Sequence, residues 1–328
     1  MFSLENGIAG LSIILLALIP FAEIIVRTVF KTGIPAASEY TFHLVIWITF
    51  FGGMITSREG RHLSLSFGID HIKDPWNGRL RAATAFITTM VVWALFISSL
   101  SLVLIGFDPE KRIGIIPIRL AVIPLPLGYA FMAIRSFLIG PKNRNGRIIG
   151  ALGILAGTFI GYSSLYNSLY ALFPSLPSLF DSLLDFWYLV SPKLVWPGSL
   201  LILIGALFGV PLFAVLGGLA YFLFIGSFGA LEVIPNEAYT MLTGNTIPAI
   251  PLFTLAGFIL SESKAGERLV RFFKALFGWM PGGLAIMAVL VCTFFTTFTG
   301  ASGVTILALG GLLSYVLQIG RASCRERV

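Results

Sequence analysis

Long apolar runs, separated by short clusters of proline, glycine and charge, form the main pattern of this chain. A helix needs about 20 mostly apolar residues to cross a hydrocarbon core of about 30 Å. These runs are continuous and lack the period-2 alternation of a membrane β-barrel. Five candidate spans occupy the first half: Gly7–Phe30, Tyr40–Thr56, Ala82–Gly106, Ile115–Leu138 and Ile148–Phe173. The pattern predicts an all-α, polytopic membrane protein.

The second half of the chain carries shorter apolar segments that proline and glycine interrupt. Two arms, Gly198–Phe208 and Pro211–Ile225, are each too short for a relaxed span, so we expect a tight hairpin or two tilted helices. With the segments that follow, about nine membrane-embedded segments are expected. These last segments are Ile247–Leu260, Leu284–Thr299 and Val304–Leu317.

Composition narrows the class of protein further. Apolar residues make up 57% of the chain and charged residues 11%, whereas a soluble domain is about one quarter charged. So few charges cannot cover a water-facing surface, which excludes a soluble enzyme. The net charge of +7 does not indicate a nucleic-acid partner, because the basic residues lie in short loops between apolar runs. The two cysteines form no C-x-x-C pattern, so no metal-binding cysteine cluster is expected.

The distribution of basic residues predicts the sidedness of the bundle. Cytoplasmic loops carry an excess of lysine and arginine. The second and fourth loops hold Arg58, Arg61, Lys73, Arg79, Arg81, Arg135, Lys142, Arg144 and Arg147. In or beside the first and third loops lie Arg27, Lys31, Lys111, Arg112 and Arg119. The bias predicts a cytoplasmic N-terminus, and it places Pro174–Pro197, with an amphipathic interfacial helix, outside.

One later segment has a different pattern. In Gly266–Phe277, aromatic and aliphatic residues are interleaved with basic residues at helical spacing. Such a helix is expected to lie along the inner membrane surface rather than across the bilayer. Trp279 would then lie at the depth of the lipid headgroups.

Two segments of irregular backbone are the candidate binding sites. Unpaired amides and carbonyls cannot face lipid, so a break at membrane depth must lie against protein or a wet cavity. Freed carbonyls can bind a cation there, and helix N-termini attract anions. Close helix packing by small residues is the alternative interpretation. The candidate site residues are Asn245, Pro248 and Pro251 in the first segment, and Thr299, Gly300, Ala301, Ser302 and Gly303 in the second.

The second segment has the oxygen donors that a hard cation such as Na⁺ prefers. Gly300 and Gly303 allow the backbone to open without a side-chain clash. The freed carbonyls and the hydroxyls of Thr299 and Ser302 would then supply oxygen donors without adding charge. Gly300 and Ser302 are the predicted sodium ligands. A helix beginning near Val304 would direct its positive end at an anion.

Several motifs in the chain resemble those of one known family of membrane proteins. The chain resembles a fused membrane subunit of a tripartite ATP-independent periplasmic (TRAP) transporter. Residues 1–140 are similar to the small subunit. The part of the chain that begins at about Trp196 is similar to the start of the large subunit. The motifs are Ala22-Glu23-Ile24-Ile25-Val26-Arg27, Trp47-Ile48-Thr49-Phe50, Arg58-Glu59-Gly60-Arg61-His62, Gly209-Val210-Pro211, Ile250-Pro251-Leu252-Phe253-Thr254-Leu255-Ala256-Gly257, Gly266-Glu267-Arg268-Leu269-Val270 and Thr299-Gly300-Ala301-Ser302-Gly303.

The resemblance implies a function. It implies an elevator-type secondary transporter of the bacterial inner membrane, not an enzyme. Sodium would be the coupling ion, and a periplasmic binding protein would deliver an organic anion such as a dicarboxylate or a sugar acid. Residues 1–140 would be a four-helix scaffold, 141–195 a connector helix with an external interfacial segment, and 196–318 the beginning of the transport subunit.

The last ten residues, 319–328, read IGRASCRERV and are interpreted separately. They resemble the translation of a common sequencing adapter, so we expect that they are not native. The natural chain would then continue past Gln318, and the second repeat of the large subunit would be missing.

Two other function classes remain open at this stage. A permease of an ATP-driven importer would need a separate ATPase subunit, since the chain contains no Walker motif. A membrane-embedded enzyme would need paired acids, histidine or cysteine inside the membrane. Cys292 is the thiol within an apolar run, and neither His nor Asp lies near it in sequence.

Overall fold

The computed structural model describes residues 2–64, 76–139, 144–227, 229–262, 265–280 and 283–299. The described residues are predominantly helical, which confirms the all-α prediction. They are α1 (Phe2–Phe30), α2 (Ala37–Glu59), α3 (Trp76–Ser101) with a π-helical turn (Leu102–Gly106), β1 (Arg112–Ile113), β2 (Ile116–Pro117), α4 (Ile118–Val122), α5 (Pro124–Ile139), α6 (Arg144–Ile160), α7 (Tyr162–Leu172), α8 (Ser178–Val190) with a 3-10 turn (Ser191–Leu194), α9 (Val195–Leu207), α10 (Leu212–Gly226), α11 (Val233–Leu242), α12 (Ala249–Glu262), α13 (Ala265–Phe277) and α14 (Gly283–Thr299). The chain divides into two compact units, residues 1–244 and 245–328.

Several helical runs are suited to a bilayer. Within the described ranges, five are long and apolar enough to cross a membrane, and a bent pair would make a sixth. The five are Leu4–Phe30, Ala37–Glu59, Trp76–Gly106, Ile118–Leu138 and Ser178–Leu207. The first four correspond to the first four predicted spans. The prediction of a multi-pass membrane protein is therefore confirmed.

The fifth predicted span differs from expectation. Instead of one straight helix, α6 and α7 meet at Gly161 with a bend of 71°. The Gly161 amide still donates to the Gly157 carbonyl at 2.9 Å, and the Leu165 amide donates to the Gly161 carbonyl at 3.0 Å. The backbone therefore turns sharply while most of its hydrogen bonds are kept. Apolar length alone could not predict a change of direction at this glycine.

The interfacial helix and the first short arm also differ from expectation. Helices α8 and α9 are joined by the 3-10 turn without a non-helical residue, so Ser178–Leu207 is a continuous run of 30 residues. Pro192 and Pro197 each fall in the first turn of their helical segment, where a missing amide hydrogen is tolerated.

Helix α3 is the centre of the first unit. Most of its residues from Ile87 to Ser101 are buried. Helix α6 lies close to it because glycines face the α3 backbone. A Cβ atom at Gly153 would lie 3.0 Å from the Phe86 carbonyl oxygen, and one at Gly157 would lie 2.5 Å from that of Met90. Glycines spaced four residues apart thus allow the close backbone approach that is typical of membrane helix pairs.

An ionic cluster joins the ends of three helices. The Glu5 carboxylate, which is 5% exposed, pairs with Arg58 at 3.2 Å and with Arg135. Arg135 also donates to the Met54 carbonyl oxygen. The distribution of basic residues placed Arg58 in a cytoplasmic loop, but its side chain lies at the end of α2 and is only 16% exposed. The N-terminus of α1 and the C-terminal ends of α2 and α5 therefore lie at the same end of the bundle.

In the second unit, the described residues up to Thr299 form three helices, α12, α13 and α14. Helix α14 packs against both α12 and α13. Met287 and Val291, one helical turn apart on α14, are fully buried. The last described residue of α14 is Thr299, which is the first residue of the predicted sodium site.

Candidate functional site

The first candidate segment is a turn that leads into a helix. Asn245 is exposed and Pro248 is buried directly before α12. The Ala249 and Ile250 amides donate within the turn, to the carbonyls of Thr246 at 3.2 Å and Ile247 at 3.0 Å. Pro251, in the first helical turn, has no amide hydrogen. Residues 245–248 form a turn as expected, but α12 begins at Ala249, so the predicted break does not extend to Pro251, and several amides of this N-terminus are already used.

The second candidate segment lies mostly outside the described residues. The structure places Thr299 at the end of α14, whereas Gly300, Ala301, Ser302 and Gly303 fall beyond it. Thr297 donates its hydroxyl to the carbonyl one turn earlier, at Thr293, over 2.8 Å. The helix thus continues through the threonines to Thr299, the last residue that the structure describes. The predicted sodium ligands remain a prediction.

Residues 198–244 pack against the four-helix part, and sequence reasoning did not identify these contacts. At one end of the interface, the Leu212 amide donates to the Leu63 carbonyl at 2.9 Å. Ser64 forms a β-bridge with Pro211 beside this bond. The ring of His62 lies against Phe213 with 4.8 Å between centroids. The turn between α9 and α10 is therefore fixed to the segment that follows α2.

Polar contacts also fix the opposite end of this interface. The Glu232 carboxylate accepts hydrogen bonds from Ser101 at 2.7 Å and from Asn167 at 3.0 Å. On α11, the Tyr239 hydroxyl lies 3.2 Å from Nε2 of His43. Glu232 thus joins α3, α7 and the start of α11. Its partners lie 131 and 65 residues away in sequence, so no local pattern could have identified them.

Tyr221 anchors the middle of the interface. Its buried hydroxyl donates to the Ala94 carbonyl of α3 at 2.8 Å. We expect Tyr221→Phe to lower the free energy of unfolding by about 0.5–1.5 kcal/mol, since one buried hydrogen bond is lost. Thermal unfolding of the purified protein measures this change. Tyr170→Phe, at an exposed position on α7, is the control, and an equal loss there would contradict the assignment.

We expect His62 to make the stability of this interface depend on pH. Partial burial against Phe213 lowers the pKa of His62 below its ordinary value of 6.5. The unfolded chain then binds a proton at a higher pH than the folded chain does. Stability is therefore fully present above about pH 6.5 and falls as the pH drops toward the folded pKa. We expect His62→Gln to reduce the loss of thermal stability between pH 8 and pH 5. An unchanged pH dependence in this variant would exclude His62 as the group responsible.

Two family models match the chain in sequence order. Residues 16–138 match the DctQ component of tripartite ATP-independent periplasmic transporters. Residues 199–317 match the DctM component of the same transporters. The chain is a fused TRAP transporter membrane subunit. It joins a DctQ-like part to a DctM-like part through α6, α7 and α8, and the interface described above lies between these two TRAP components.

Curated relatives agree with this assignment. The C4-dicarboxylate TRAP transporter large permease protein DctM of Vibrio cholerae is 35% identical over 108 residues, 32% of this chain and 24% of the relative. The ectoine TRAP transporter large permease protein TeaC of Halomonas elongata is 28% identical over 113 residues, 34% of this chain and 26% of the relative. The isethionate TRAP transporter permease protein DctMQ of Oleidesulfovibrio alaskensis is 30% identical over 119 residues, 36% of this chain and 18% of the relative. The chain spans about a quarter or less of these relatives' lengths.

Proposed function

We propose that this chain forms part of a sodium-coupled secondary transporter that imports an organic anion delivered by a periplasmic binding protein. The observation that carries the proposal is the ordered match to DctQ and DctM components in one chain. The names of these relatives include C4-dicarboxylate, ectoine and isethionate. C4-dicarboxylates and isethionate are organic anions, which favours a carboxylate or a sulfonate as the substrate.

We place the protein in the bacterial inner membrane with its N-terminus in the cytoplasm. The contacts of Glu5 with Arg58 and Arg135 support one part of this topology, because they require the N-terminus and the second and fourth loops to share a side. The bridge between Ser64 and Pro211 adds the α9–α10 turn to the same side. The excess of basic residues in these loops supports the cytoplasm as the side that they share with the N-terminus.

Reporter fusions test this topology directly. We expect a cytoplasm-active reporter to be active when fused in the loops at residues 61–75 or 140–147, and a periplasm-active reporter to be active when fused near Lys111. The opposite activities would invert the topology. Activity of both reporter types at one site would show mixed insertion and would also contradict the proposed arrangement.

In this proposal sodium binds at Thr299–Gly303, with Gly300 and Ser302 supplying oxygen ligands, and the anion binds beside the segment from Asn245 to Pro251. Two features support it. Both segments belong to the second unit, and α12, which follows Pro248, packs against α14, which ends at Thr299. A hard cation prefers the oxygen donors that carbonyls and hydroxyls provide.

Transport measurements test the function and the site separately. The protein encoded at the natural locus is purified, combined with a co-expressed binding protein, and assayed in proteoliposomes with labelled succinate and isethionate. We expect uptake that requires a sodium gradient, and a loss of at least tenfold in the Ser302→Ala and Gly300→Leu variants with normal membrane insertion. Uptake without sodium dependence would overturn the coupling. Unchanged sodium dependence in both variants would place the ion elsewhere.

A further inference from the structure

Helix α13 has a charge pattern that differs from its neighbours. Within residues 264–299 the basic side chains belong to Lys264, Arg268, Arg271 and Lys274. Helix α14 has no charged residue, and α12 has only its terminal Glu262. At 13 residues, α13 is about 20 Å long and carries charge at its centre, so it cannot cross a hydrocarbon core of about 30 Å.

The side chains of α13 fall into three sectors around its axis. Phe273 and Phe277, four residues apart, are half-buried and stack on each other with 6.3 Å between centroids. Phe272 and Leu276, also four residues apart, form a second apolar sector that is exposed. Arg268 and Arg271 are exposed on the remaining side. One apolar sector thus packs within the unit, while the other stays open beside the basic one.

Trp279 extends the open apolar sector. Its ring is 80% exposed, and its indole N–H donates to the Leu276 carbonyl at 2.7 Å. The polar group of the ring is therefore satisfied inside the protein. This indole can enter a lipid headgroup layer without losing a hydrogen bond.

We propose that α13 binds anionic phospholipid at the membrane surface. Phe272 and Leu276 insert among the upper acyl chains, Trp279 lies in the headgroup layer, and Arg268 and Arg271 contact the headgroup phosphates. The charge pattern selects this partner, since three of the four charged residues of α13 are basic and each basic residue near an anionic surface raises its affinity roughly fivefold. A zwitterionic surface would satisfy the apolar sector but not the basic one.

Hydrogen exchange of residues 265–280 tests the proposal in the full chain. The protein is placed in nanodiscs of phosphatidylcholine alone or with 30% phosphatidylglycerol. We expect amide exchange in this segment to slow by roughly tenfold or more with phosphatidylglycerol, because two or more basic residues are attracted to the anionic surface. High salt should reverse the change, because it screens charges beyond a few ångströms. Equal exchange in both lipids would overturn the proposal.

Matched variants assign the effect to α13. Arg268→Gln with Arg271→Gln should abolish the response to phosphatidylglycerol, while the corresponding lysine pair should retain it. Arg79→Gln with Arg81→Gln, on α3, is the control and should leave the response unchanged. A glutamine pair that still responds would overturn the assignment. Slowing that needs an added soluble protein, and no particular lipid, would assign this face to a protein partner instead and would also overturn it.

Discussion

Replacing Glu5 with glutamine is expected to lower the free energy of unfolding of the purified protein by about 3–5 kcal/mol. The Glu5 carboxylate is almost fully buried and pairs with Arg58 and Arg135 from two other helices. Glutamine has nearly the same shape but no charge, so two guanidinium groups would lose their shared counterion in a partly buried site. Such a loss costs more than an exposed ion pair contributes, because water cannot replace the missing charge.

The matched control for Glu5 is Glu59 on α2. Glu59 lies 3.8 Å from Arg58 and 3.6 Å from Arg61, but it is largely exposed. Glu59→Gln should therefore cost less than about 1 kcal/mol. Unfolding in detergent, followed by circular dichroism, measures both variants. Equal losses in the two variants would mean that Glu5 does not organise the ends of α1, α2 and α5.

Replacing Gly157 with alanine should lower the free energy of unfolding by about 1–3 kcal/mol. The new methyl group would lie 2.5 Å from the Met90 carbonyl oxygen, which is a backbone atom of α3. A flexible side chain could move aside, but this atom can move only with its helix. Helix α6 would therefore separate from α3, and the connection between the DctQ-like and DctM-like parts would loosen.

Gly52→Ala is the control for this helix contact. Gly52 lies inside α2, and a Cβ atom there would meet nothing within 4 Å. Alanine favours a helix over glycine by about 1 kcal/mol at either position, so Gly52→Ala should raise stability or leave it unchanged. Opposite signs at Gly157 and Gly52 are the expected result. A gain of stability at both positions would show that α6 can move away from α3 without cost.

Much of the fold could be predicted because a bilayer imposes a simple rule. Backbone groups in lipid must be paired within the segment, so continuous apolar runs become helices. That rule predicts α1, α2, α3 and the α4–α5 pair within a few residues of their observed bounds. It fails at Gly161 and between Ser178 and Leu207. There, apolar content is the same whether a helix bends, breaks or continues, and only packing decides which occurs.

Sequence by itself determined the membrane class, the main spans and the turn at residues 245–248 before α12, because each depends on local composition and on proline or glycine. It could not determine the partners of Glu5, Glu232 or Tyr221. The hydrogen-bond partners of these three side chains lie between 53 and 131 positions away in sequence, and no periodicity encodes such a distance. Tertiary structure alone decided that residues 198–244 pack on the four-helix part, because a buried carboxylate or hydroxyl is stable only where the fold brings a donor or an acceptor to it.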